Sequence, residues 1–84
     1  MSKRLISNKH LRKAQRGEST FLYRIENEKC LEMDEKSYQI FQYIQNTTPT
    51  EEQVFSHFGT EDILREEIER FINWLLETEF ISEI

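Results

Sequence analysis

The chain has 84 residues with one cysteine, and its 16 Asp/Glu against 11 Lys/Arg leave a net charge of −5. That length allows a single small domain with a modest core. Its longest apolar runs, two or three residues, fall far short of the roughly 20 that a membrane-spanning helix needs. A lone Cys30 makes no internal disulfide, which fits a reducing compartment, most simply the cytoplasm. The basic start, MSKRLISNKHLRKAQR, has no continuous apolar segment after it and does not read as a secretory signal.

The charge is uneven. Residues 1–20 carry six Lys/Arg against Glu18, whereas residues 21–84 carry five basic against fifteen acidic residues. An acidic body repels phosphate backbones, because nucleic-acid affinity depends on basic groups that release counterions. A basic or neutral peptide suits such a surface better, although the same charges also serve simply to keep a small domain in solution.

Residues 1–9 read as a flexible basic arm, and residues 10–84 as one domain. His10 to Gln15 is a weak first strand, and Arg16 to Ser19 (RGES) is a turn. Thr20 to Glu26 alternates most clearly, with Phe21, Tyr23 and Ile25 on the side expected to face inward and Arg24 and Glu26 on the other. After ENE turns the chain, Lys29 to Met33 brings Leu31 and Met33 to one face. The expected result is a three-stranded antiparallel meander with one apolar side.

From Asp34 the apolar spacing changes to three and four. Asp34 is the expected N-cap of a helix whose inward stripe is Ile40, Phe41 and Ile44, with Tyr38 and Tyr43 on its shoulders and Asn46 at its left-handed end. Thr50 and Gln53 make a capping box for a second helix, which buries Val54, Phe55 and Phe58 and stops at Gly59. A third helix starts after Thr60, with Glu61 and Asp62 at the positive end of its dipole, and runs to about Glu79. Leu64, Ile68, Phe71 and Leu75 form its main stripe, Ile72 and Leu76 widen it, and Phe80 and Ile81 complete the core. Each element has one apolar face, so strands and helices must pack together: an α+β fold, close to a winged-helix arrangement, with a three-stranded antiparallel sheet followed by three helices.

The run CLEMDEKSYQIFQYIQNTTPTEEQVFSHFG followed by LREEIERFINWLLETEFI resembles the PqqD-like domains, also called RiPP recognition elements. Leu31, Ile40 and Phe41, Thr50 with Val54, Ile68 with Phe71 and Ile72, Leu75 and Ile81 occupy the positions of that pattern, over roughly Leu11 to Ile81. The tail has Glu79-Phe80 where the pattern has Gly-Leu. The resemblance implies non-catalytic binding of the leader segment of a ribosomally synthesised precursor peptide, presented to a separate modifying enzyme. The leader would add as a fourth strand to the open edge of the third strand, in a groove beside the third helix.

A short edge strand exposes unpaired N–H and C=O groups, and Lys29, Cys30, Leu31, Glu32 and Met33 contain no proline to block strand addition by a peptide. On the third helix, Trp74 sits about 80° from Leu64, from the ~100° step per residue, flanked by Glu67 and Arg70 and one turn from Phe71, and these four make a mixed polar and aromatic shoulder. A tryptophan there is the kind of residue that anchors interfaces. Ile72 and Leu76 on the opposite shoulder are the alternative wall. Cys30 reads as a small strand filler, because reactive cysteines need an electropositive setting. Glu28, Glu32, Glu67 and Glu69 are candidates to meet basic leader residues.

Catalysis has little support. His10 and His57 lack metal-ligand spacing with Cys30 or with each other, there is no phosphate loop, and no nucleophile has a nearby base. The rival is a winged-helix regulator of DNA, but residues 50–79 hold Arg65 and Arg70 against nine acids, poor material for a groove-reading helix. A third reading is an enzyme-docking subunit that binds no peptide. The expectation is a cytoplasmic peptide adaptor without cofactor, metal, nucleic acid or membrane. Its partners would be a precursor peptide and a radical enzyme or the leader peptidase of a lasso-type pathway.

Overall fold

The computed structural model describes residues 3–26, 28–59 and 62–84, with side chains of the last segment from residue 65 onward. Met1 and Ser2 of the expected arm, Asn27 of the ENE turn, Thr60, Glu61 and the Leu64 side chain lie outside the described residues. The fold is α+β. Strands β1 (Leu5–Ser7), β2 (Leu11–Arg16), β3 (Ser19–Arg24) and β4 (Lys29–Met33) precede helices α1 (Glu35–Thr47), α2 (Glu51–Phe58) and α3 (Asp62–Glu77), and β5 (Ile81–Glu83) follows.

The expected meander is present as an antiparallel sheet in the order β2-β3-β4. Its inward face differs from the one expected. Thr20, Leu22 and Arg24 are the buried residues of β3, while Phe21 is half-buried and Tyr23 and Ile25 are exposed. Pairing explains the reversal: Leu22 lies opposite Leu31, and Thr20 opposite Met33. Leu31 and Met33 are in the core, and a strand's faces alternate with period two, so their partners must turn inward as well. Arg24 tolerates that side because Nη1 donates to Glu79 Oε2 (2.7 Å) and Nη2 to Glu26 Oε2 (2.9 Å).

Two strands were not expected, so the element order is corrected at both ends. Leu5–Ser7, placed by sequence within a flexible arm, pairs antiparallel with Ile81–Glu83. Leu5 is 2% exposed, which gives the segment an apolar anchor that the basic residues around it concealed. On its other side, Leu5 N–H donates to Pro49 O (2.7 Å) and Arg4 Nη1 to Thr48 O (3.0 Å). The start of the chain is thereby wedged between β5 and the α1–α2 connection.

Helix signals are local and most appear where expected. Asp34 accepts from Ser37 N–H (2.8 Å). Thr50 and Gln53 exchange both bonds of the capping box, at 3.2 and 2.9 Å. The end of α1 is two residues later than expected: Thr48, not Asn46, takes the left-handed conformation (φ 46°). The proline that follows disfavours right-handed helix at Thr48, and Arg4 holds its carbonyl.

The end of α3 is a Schellman turn. Phe80 N–H donates to Leu75 O (2.9 Å) and Glu79 N–H to Leu76 O (3.1 Å), with Glu79 at φ 63°. Phe80 and Leu75 are both fully buried, the apolar contact that accompanies this motif. The core joins Leu22, Leu31 and Met33 from the sheet to Ile40, Phe41, Ile44, Val54, Phe55, Ile68, Ile72 and Leu75 from the helices. No helix among the described residues is long and apolar enough to cross a membrane.

Candidate peptide-binding edge and groove

β4 is an end strand. Its ladder runs Lys29↔Arg24, Cys30↔Tyr23, Leu31↔Leu22, Glu32↔Phe21 and Met33↔Thr20, and no described strand pairs with its other side. In an antiparallel edge strand, alternate residues direct their N–H and C=O groups away from the partner. The side chains divide as pleating requires. Leu31 and Met33 are buried, so an incoming segment reaches them only through backbone, while Cys30 and Glu32 are exposed. Lys29 also has an exposed side chain; the Glu79 carboxyl is held below its ordinary value chiefly by the Arg24 hydrogen bond, and the Lys29 charge adds to this in the same direction.

The course of α3 relative to the sheet is located by contacts at its two ends. Asp34 directly follows β4 and caps α1. Together with Lys36, Ser37 and Ile40 it faces Glu67, Ile68 and Phe71 of α3 across a cleft of about 120 Å³. At the other end, Glu79 just beyond α3 bonds to Arg24, which lies opposite Lys29. α3 therefore runs opposite to β4 in direction, from the Met33 end of the sheet toward its Lys29 end, with its last turn meeting the buried face of β3 at Arg24.

Phe71 and Trp74 occupy the middle of that run, their ring centroids 6.0 Å apart. Phe71 is half-buried, and Trp74 is 37% exposed. The cleft has an apolar floor of Ile40, Ile68 and Phe71, with Lys36 at one rim and Glu67 at the other. It is of a size to take one apolar side chain.

The other residues named for the site have different settings. Arg70 is exposed and donates to Glu66 on its own helix (3.0 Å). The alternative wall is core: Ile72 is fully buried and Leu76 partly so. Lys36, Ser37, Ile40 and Ile68 were not expected at the site. The available signal was the cap at Asp34, which forces the first turn of α1 against the end of β4.

Among the described residues there is no cluster of His, Cys, Asp and Glu placed to hold a metal ion. His57 instead stacks on Tyr43, centroids 4.4 Å apart. Arg65 donates to Glu52 (3.2 Å) and lies over the Phe55 ring. A wider hollow of about 580 Å³ beside the β2–β3 turn is lined by Glu18, Ser19, Asp34, Glu35, Lys36 and Gln39. It offers a ligand no apolar anchor. No family model, curated protein or solved structure matches the chain.

Proposed function

We propose that this chain is a non-catalytic adaptor that binds an extended peptide by strand addition along β4. The observation that carries the reading is an end strand, Lys29–Met33, that leads through Asp34 into a cleft lined by Ile40, Ile68 and Phe71, with the exposed Trp74 one turn further along α3. Backbone hydrogen bonds supply sequence-independent affinity, and one apolar side chain in the Ile40–Ile68–Phe71 cleft supplies selectivity.

The sequence resemblance to PqqD-like domains makes the peptide the leader segment of a ribosomally synthesised precursor, held in the cytoplasm for a separate modifying enzyme or leader peptidase. The winged-helix-like arrangement belongs to the same reading. The DNA-regulator alternative is disfavoured because Arg65 and Arg70 are both engaged by glutamates.

The test is to titrate candidate leader peptides into the labelled protein while following backbone amides by NMR. Shifts at residues 30–33, Phe71 and Trp74 are expected, with alternate β4 amides passing from fast to slow hydrogen exchange as peptide is added. Shifts confined to residues 3–9, or β4 amides already protected in the free protein, contradict the proposal.

A further inference from the structure

The strongest alternation in the sequence, Phe21-x-Tyr23, points away from the core. On this outer face of the sheet, Arg12 lies opposite Tyr23 and Tyr23 opposite Cys30, while Ala14 lies opposite Phe21 and Phe21 opposite Glu32. Arg16 shares the face of Arg12 and Ala14. All of these except half-buried Phe21 are exposed. The face therefore has three rows: arginine on β2, aromatic on β3, and a carboxylate with a small thiol on β4.

We propose that this face binds a second copy of the chain. Of the two-fold axes along and across the strands, only the first brings opposite charges together. A two-fold axis running along β3 lays β2 of one copy over β4 of the other. Each Glu32 then stands level with the partner's Ala14, between the partner's Arg12 and Arg16, whose long side chains span a sheet separation of about 10 Å. Phe21 and Tyr23 pack on their own images, as an isologous contact requires. A two-fold axis across the strands would set arginine on arginine and is excluded by like charge. Sheets stacked about 10 Å apart with nearly aligned strands are an ordinary packing.

A nucleic acid is the poorer occupant, because Glu32 and a net charge of −5 oppose phosphate. Three short strands spaced about 4.8 Å apart bury less than the roughly 800 Å² per partner of a standard interface, so the dimer is weak. The stacking uses the face of the sheet and leaves the backbone edge of β4 open, so of the residues on this face only Glu32 and Cys30 are common to the two proposals, and sedimentation without any peptide tests this one by itself.

Sedimentation velocity of the full chain from about 10 µM to about 1 mM at low salt tests it. A rise in sedimentation coefficient is expected, reversed by about 0.5 M salt because exposed charges are screened. Glu32→Arg alone, and Arg12→Glu with Arg16→Glu, are each expected to sediment as monomers with unchanged circular dichroism. Their equimolar mixture is expected to associate again, because one carries two basic rows and the other two acidic rows. Wild-type protein that stays monomeric throughout, a mixture that does not associate, or Tyr23 and Phe21 resonances that respond to single-stranded oligonucleotide instead, each overturns the proposal.

Discussion

Phe71 lines the cleft that opens at Asp34, Trp74 follows it one turn along α3, and of the two only Trp74 is exposed enough to lose a partner without disturbing the core. Trp74→Ala is expected to weaken binding of a leader peptide at least about tenfold, as truncation of a buried aromatic anchor does. Isothermal titration measures this, and a thermal melt should show little change in stability. Charge at Glu79 and Asp34 acts on folding. The Glu79 carboxyl titrates below its ordinary value chiefly through the hydrogen bond from Arg24. Asp34 does so chiefly through the bond from Ser37 N–H. A depressed folded pKa contributes stability that is present above the unfolded value and lost as pH falls through the folded one. Glu51 acts oppositely: burial, then the charges of Glu69, Glu83 and Glu52, push its carboxyl up, so its ionised form opposes folding at neutral pH. Melts by circular dichroism should fall in temperature below about pH 4, less steeply for Glu79→Gln and Asp34→Asn. Glu51→Gln should raise stability at pH 7 by at most about 0.5 kcal/mol. The caps at Asp34 and Thr50 were legible because their partners lie three residues away. The Arg24–Glu79 pair was not, since 55 residues separate its members.

At the scale of the element, β3 distinguishes a period from a direction. Alternation is visible in Thr20 to Glu26, but it defines two faces, and the more aromatic one is not the core. The correct side follows from Leu31 and Met33, whose inward placement was legible, once they are known to pair with Leu22 and Thr20. Leu22 is 3% exposed and Tyr23 is 37% exposed. Leu22→Ala is accordingly expected to cost about 2–5 kcal/mol, and Tyr23→Ala less than about 1 kcal/mol in the monomer. Urea unfolding of both variants at low protein concentration reads the difference, and equal costs would contradict the register. β1 and β5 were illegible for another reason. Three residues each are too few to display a period, and Leu5 sits among Lys3, Arg4 and Ser7. The candidate groove was partly legible: the shoulder with Glu67, Phe71 and Trp74 came from helical spacing alone. The ion pair of Arg70 with Glu66 leaves no trace in a wheel diagram.

The whole molecule measures 32 × 29 × 20 Å, a sheet and a helical layer with little depth for an enclosed site, consistent with binding along an edge. Charge is partitioned across it. Arg12 and Arg16 line β2, while Glu32 on β4 and Glu67 on α3 stand near the proposed peptide path. A leader rich in Lys or Arg should therefore lose affinity severalfold between about 0.05 and 0.5 M salt, as screening shortens the reach of exposed charges. A flat salt titration would leave the apolar cleft and backbone pairing as the whole of the attraction.

The pairing of β1 with β5 brings residues 4 and 84 into mutual contact: Arg4 N–H donates to Ile84 O (3.0 Å) and Ile84 N–H to Arg4 O (2.9 Å). In space, the described fold is almost a closed loop. A short covalent link across that seam would strain little and would reduce the freedom of the unfolded chain. The loop could then be reopened at the β2–β3 turn, where Gly17 has open space around its α-carbon. Such a permuted protein is expected to keep the same sheet and the same groove, with its ends moved to the tip of the β2–β3 hairpin.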